Sequence, residues 1–256
     1  MNVQPPQYLS GAINAGDCIA NGWALLKGNF GIYIGASLLA ILITVCVPCV
    51  NILLVGPIMG GIYFMMLRSM RGEPVDIGML FKGFEHFLPL MVVGFVVSIP
   101  DMGFQGVQFI VDLNDLIRSG GFPAADATFF QTDPSVYRDL TQLWLLAGVA
   151  FAFGLFGFVW KIILFFAVPL AMEYKLGALD SMKLSVSAAM SNIGGLILLT
   201  ILEVIVALVG VLAFCVGIFI AIPIIWAANA FAYRQVFPYQ GDVVAGQPQN
   251  SQFGVY

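Results

Sequence analysis

An apolar segment occurs twice in this chain, and it restricts the fold more than any other feature. Cys49 to Arg68 (CVNILLVGPIMGGIYFMMLR) aligns without a gap on Cys215 to Arg234 (CVGIFIAIPIIWAANAFAYR). The two copies share the leading Cys-Val, an Ile, a central Pro-Ile (Pro57-Ile58 and Pro223-Ile224) and the closing Arg. Each is apolar almost throughout, at about the length a helix needs to cross ~30 Å of hydrocarbon. A polytopic membrane protein built by internal duplication is expected. Composition argues the same way. Only 9% of the residues are charged and 60% are hydrophobic, whereas a soluble domain carries about 25% charged residues. Lipid has to cover what polar side chains do not.

Long apolar runs predict an all-α protein with about six transmembrane helices, near 30–47, 50–68, 87–110, 143–172, 193–212 and 214–236. A short amphipathic stretch precedes each pair. Ile19, Trp23, Leu26 and Phe30 fall at helical spacing, as do Ile77, Leu80, Phe81, Phe84 and Leu88, and again Leu179, Met182, Val186, Ala189 and Ile193. Asn29-Phe30, His86-Phe87 and Asn192-Ile193 mark the three points where the chain turns into the membrane. The expected unit is an interfacial helix in the headgroup plane followed by a transmembrane hairpin. Three such units fall at 17–71, 73–176 and 177–238 within a single transmembrane domain, 17–238. The tails 1–16 and 239–256, rich in Gln, Gly, Pro and Asn, are expected to be disordered.

Basic residues are kept out of translocated loops. With six spans, Lys27, Arg68, Arg71, Lys82, Lys175, Lys183 and Arg234 fall on the side of the termini, and Arg118 and Arg138 fall opposite. Both termini are therefore expected in the cytoplasm. Met1 to Ser10 lacks the features of a cleaved signal peptide, so the first hydrophobic helix is expected to serve as the targeting signal. The loop 111–142 then faces outside. Its Asp112, Asp115, Asp126, Asp133 and Asp139 lack the close spacing of a calcium loop, so it reads as solvated chain. The net charge is −4 and the basic residues are scattered, which excludes a nucleic-acid partner.

Ionisable residues inside spans are costly and are functional candidates; here they are Asp101, Lys161 and Glu203. Counted from Tyr174 and Asn192, Lys161 and Glu203 both lie roughly 16 to 20 Å from the cytoplasmic face. A pair between them would be an ion relay or a structural neutralisation. Asp101 follows Pro100 and is also expected to reach interfacial water. Pro57, Pro169 and Pro223 each interrupt the second helix of a hairpin. They either frame a transport site or bend helices that pack closely, as Gly56, Gly60 and Gly61 beside Pro57 imply. Gly31 and Gly35 form a second small-residue face. Cys46, Cys49 and Cys215 cluster at one end of the hairpins, where a redox role competes with plain packing. Cys18 reads as a small buried residue or a lipidation site. His86 is the only histidine, so no His-based catalytic or metal set arises, and no phosphate-binding glycine loop is present. Nothing nominates a catalytic residue, a cofactor or a metal.

Gly22-Trp23-Ala24-Leu25-Leu26-Lys27-Gly28-Asn29-Phe30, Gly56-Pro57-Ile58-Met59-Gly60-Gly61, Arg71-Gly72-Glu73 and Leu80-Phe81-Lys82-Gly83-Phe84 together resemble uncharacterised bacterial integral membrane proteins. Some of these are similar to the membrane domain attached to certain glycerophosphodiester phosphodiesterases. The likeness covers most of 17–90 and, more loosely, 178–237. It implies a six-span protein of the bacterial inner membrane and carries no catalytic residues. The leading expectation for function is a non-enzymatic protein that organises lipid or a partner membrane protein, with self-association also open. The alternative is a small-solute or ion transporter using the proline-broken helices and the Lys161 and Glu203 pair.

Overall fold

The computed structural model describes residues 6–46, 48–118, 135–213 and 216–239, which are helical with no strand among them. The helices are α1 (Ala15–Gly28), α2 (Phe30–Cys46), α3 (Pro48–Met70), a 3-10 helix (Ile77–His86), α4 (Phe87–Arg118), α5 (Ser135–Ile163), α6 (Ala167–Glu173), α7 (Ala178–Met190), α8 (Ile193–Leu212) and α9 (Val216–Val236). Five stretches are long and apolar enough to cross a membrane: Ile52–Met70, Ile77–Phe109, Ala147–Glu173, Ile193–Leu212 and Gly217–Val236. The expected first span is too short alone. It reaches that length only when α1 and α2 are taken together across a bend of 102°.

The chain forms two compact units, Met1–Val96 with Ile162–Tyr256, and Val97–Lys161. Neither follows the repeat boundaries expected from the sequence. The expected loop 111–142 is also largely helical where it is described, because α4 runs on to Arg118 and α5 starts at Ser135.

Glycine sets how the first unit packs. A Cβ added to Gly61 would lie 1.8 Å from the Leu80 carbonyl oxygen, and one on Gly83 would lie 1.8 Å from that of Pro57. Gly56 meets Leu90 O and Gly94 in the same way. The 3-10 helix and the start of α4 therefore lie backbone to backbone on α3, across the Gly56-Pro57 and Gly60-Gly61 steps. Close packing is the use this protein makes of the glycines beside Pro57. Gly31, expected on a similar face, has nothing near it, while Gly35 touches only the end of Ile77.

The first short helix runs along α9 instead of lying across its end. Asn14 N–H and Cys18 Sγ bond Gln235 Oε1, and further along Gly22 sits against Ile224 O and Ala228 N. These contacts span about three turns of α9. α8 and α9 in turn meet at Gly210 and Gly217.

Residues 6–14, expected to be disordered, are pinned. Leu9 N–H bonds Val236 O and Gly11 N–H bonds Ser191 O. The Asn192 side chain accepts from Ala12 N–H and donates to Leu9 O, both at 2.9 Å. Asn14 caps α1, accepting from Asp17 N–H at 3.3 Å. The segment is held by these backbone groups with long-range partners and by Tyr8 and Ile13, which pack against the core.

Pro169 breaks the long fourth run. Its ring excludes the carbonyl of Phe165 and it has no N–H, and the chain turns at Leu164–Phe166 between α5 and α6. Buried Ser185 of α7 repairs the break, accepting from Phe166 N–H at 3.1 Å and donating to Ile163 O at 3.0 Å. Ser185→Ala strands both backbone groups, and a loss of about 1–3 kcal/mol is expected in denaturant unfolding in detergent. An unchanged midpoint would mean that this hydroxyl does not hold the break.

Candidate functional site

Charged side chains within the candidate spans come first, because hydrocarbon penalises them unless they are paired. Lys161, expected to pair with Glu203, pairs with Asp101: its Nζ stands 3.0 Å from both carboxylate oxygens. Rotation about the helix axis, which counting along the sequence does not give, decides the partner. Both residues belong to the second unit, where α4 and α5 approach closely. A Cβ on Gly103 would lie 2.9 Å from the Phe153 ring, and one on Gly157 would lie 3.3 Å from Pro100 Cβ. Beside the pair is a cleft of about 380 Å³, walled by Phe104, Phe153 and Phe158 over Gly154 and Gly157. The two charged side chains remain 52% and 51% exposed.

Glu203 lies in the first unit, on the side of α8 that buries Leu196, Leu199 and Gly210. Its Oε1 is fully buried, with no hydrogen-bond partner among the described residues. Cys18 and Tyr63 are within electrostatic reach of its charge. This arrangement holds a carboxyl in an apolar interior.

A third charged group escaped the sequence reading. Arg234 is 2% exposed. It donates from Nη2 to Glu173 Oε1 at 2.6 Å and from Nη1 to Phe237 O at 3.1 Å. The guanidinium carbon lies 3.8 Å from the Tyr239 ring centroid, and Tyr233 OH donates to the other Glu173 oxygen at 2.5 Å. The repeat had marked Arg234 only as the counterpart of Arg68, whose own partner, Glu73, is near in sequence at 2.7 Å.

The three short helices share one pattern. α1 buries Ala15, Cys18, Gly22 and Leu26 and exposes Trp23, with Phe30 exposed at the start of α2. The 3-10 helix buries Leu80 and Gly83 and exposes Ile77 and Phe81, with Leu88 exposed just beyond it. α7 buries Ser181, Ser185, Ala188 and Ala189 and exposes Leu179, Val186 and Met190. Inner faces are mostly small, and outer faces carry large apolar residues beside charged ones: Asp17 and Lys27, Lys82 and Glu85, Asp180 and Lys183. Phe84, expected on the outer stripe, instead packs against the core. On the outer side of the 3-10 helix, Lys82 donates to Glu85 at 2.6 Å.

Pro57 and Pro223 lie inside α3 and α9, which run on through them; of the three expected helix breaks, Pro169 stands at one. The side chains of Cys46 and Cys49, and all of Cys215, lie outside the described residues. Cys18 is a buried free thiol. Among the described residues, no three His, Cys, Asp or Glu side chains are grouped to hold a metal ion.

Fold and charged groups together define an all-helical protein of the multi-pass membrane class. Over 120 residues it is 32% identical to an uncharacterized protein of Mycobacterium tuberculosis (strain H37Rv), a stretch covering 45% of this chain. An uncharacterized protein of Mycobacterium bovis matches with the same identity and extent. The match spans 37% of each relative's length. No family model and no solved structure matches.

Proposed function

We propose that this is a non-enzymatic protein of a bacterial inner membrane that organises lipid, or a partner membrane protein, at its surface. One observation carries the reading: three short helices each turn mostly small residues to the body of the protein and large apolar residues outward. Helices of that kind bury their outer face at the boundary of headgroups and acyl chains. The hydrogen bond between Leu9 and Val236 puts the two described ends of the chain together, which favours an even number of crossings. Five long spans with α2 as a shorter sixth meet that condition, and the distribution of Lys and Arg favours cytoplasmic termini.

Charge placed on the outer stripe tests the proposal. Trp23→Glu, Phe81→Glu and Leu179→Glu are each expected to weaken lipid or partner retention about tenfold, the effect of ~1.4 kcal/mol. Retention is read by native mass spectrometry of protein released from nanodiscs. Glu203→Gln is expected to leave retention unchanged. Wild-type retention in all three stripe variants would count against the proposal. The buried, unpartnered Glu203 oxygen favours one other reading, ion or solute transport. That reading requires Glu203→Gln to abolish a flux while the protein stays folded.

A further inference from the structure

We infer that the cleft beside Asp101 and Lys161 binds the headgroup of a phospholipid that carries both a phosphate and a primary ammonium. The inference rests on the lipid-organising reading and names the lipid class for one site. Both residues fall within candidate spans, Ile77–Phe109 and Ala147–Glu173, and yet half of each charged side chain is exposed. Hydrocarbon is a poor cover for the open side of an ion pair, which needs a polar complement there. A zwitterionic headgroup supplies both signs at once: its phosphate accepts from the Lys161 ammonium, and its own ammonium donates to the Asp101 carboxylate.

The walls extend the match. Phe104, Phe153 and Phe158 give the cleft an apolar side, and Gly154 and Gly157 leave room at its floor. Its volume of about 380 Å³ takes a headgroup and the first part of an acyl chain. Aromatic walls next to a charge pair suit an amphiphile better than a bare ion, which needs several oxygen ligands. An anionic lipid would offer Lys161 the same phosphate but bring no cation for the Asp101 carboxylate.

The test compares phosphatidylethanolamine with phosphatidylglycerol, which has the phosphate but no amine. Native mass spectrometry of the full chain from mixed nanodiscs reads the ratio retained. The wild-type protein is expected to favour the amine-bearing lipid about tenfold. Asp101→Asn is expected to bring the ratio near one, and Lys161→Met to lower retention of both lipids. The double variant Asp101→Lys with Lys161→Asp keeps an ion pair for folding and is expected to keep the preference. Equal retention of the two lipids by the wild-type protein overturns this site and leaves the lipid-organising reading standing. An undiminished preference in Asp101→Asn overturns the site as well. Absence of any retained lipid overturns both. Free O-phosphoethanolamine binding as tightly as the lipid would overturn the assignment to a lipid and point to a soluble zwitterion.

Discussion

Alanine at Gly83 or Gly61 is expected to destabilise the protein more than a methyl group added at any open helical glycine. At both positions the new Cβ would stand 1.8 Å from a backbone oxygen, Pro57 O or Leu80 O. No rotamer change relieves a clash between two main chains, so the 3-10 helix has to lift off α3 as a body. The loss should reach or exceed the upper end of the about 1–3 kcal/mol typical of overpacking. Gly31→Ala and Gly106→Ala are the controls, since nothing lies within 4 Å of either added Cβ. There the substitution should be neutral or gain about 0.5–1 kcal/mol by removing a helical glycine. Reversible unfolding in detergent or mixed micelles measures all four. A Gly83→Ala protein as stable as Gly31→Ala would mean that the two backbones are not in contact.

The second large effect is expected at the Arg234 and Glu173 pair. Removing one partner of a buried ion pair leaves the other charge uncompensated, which typically costs about 3–5 kcal/mol. Arg234→Met would strand Glu173 and also free Phe237 O and the Tyr239 ring. Glu173→Gln would remove a charge that both Arg234 and Tyr233 use. Arg234→Lys keeps the charge but loses the planar fork and the stacking, so an intermediate loss is expected. The double variant Arg234→Met with Glu173→Leu replaces the pair by apolar groups and should lose less than either single change. Thermal unfolding in one detergent ranks the four. A double variant that loses the sum of the singles would show that the two residues act independently.

These two sites show what can be read from the chain and what cannot. The Gly56-Pro57 and Gly60-Gly61 cluster announces a close approach by its composition alone, since only glycine admits a second backbone. Which backbone arrives is not written there. Arg68 and Glu73 are five positions apart and visible as neighbours, whereas Arg234 meets a carboxylate separated from it by 61 positions. Lys161 illustrates the same limit. Counting rises along a helix gives its position on the axis, but its partner depends on the direction of the side chain around that axis. The three short helices were visible as apolar periodicities. The sequence could not say that mostly small residues, with Leu26, Leu80 and Phe84 beside them, would face inward, because in a membrane protein lipid competes with the core for large side chains.

The contact between α1 and α9 has a consequence for how the protein is made. Asn14 and its partner Gln235 are separated by 221 positions. At about 5–20 residues per second of synthesis, the inner face of α1 waits on the order of ten to forty seconds for the helix it packs on. Through that interval Ala15, Cys18 and Gly22 form an open seam on a helix that has already left the ribosome. The early helix is thus closed only once a partner 221 positions later has been made.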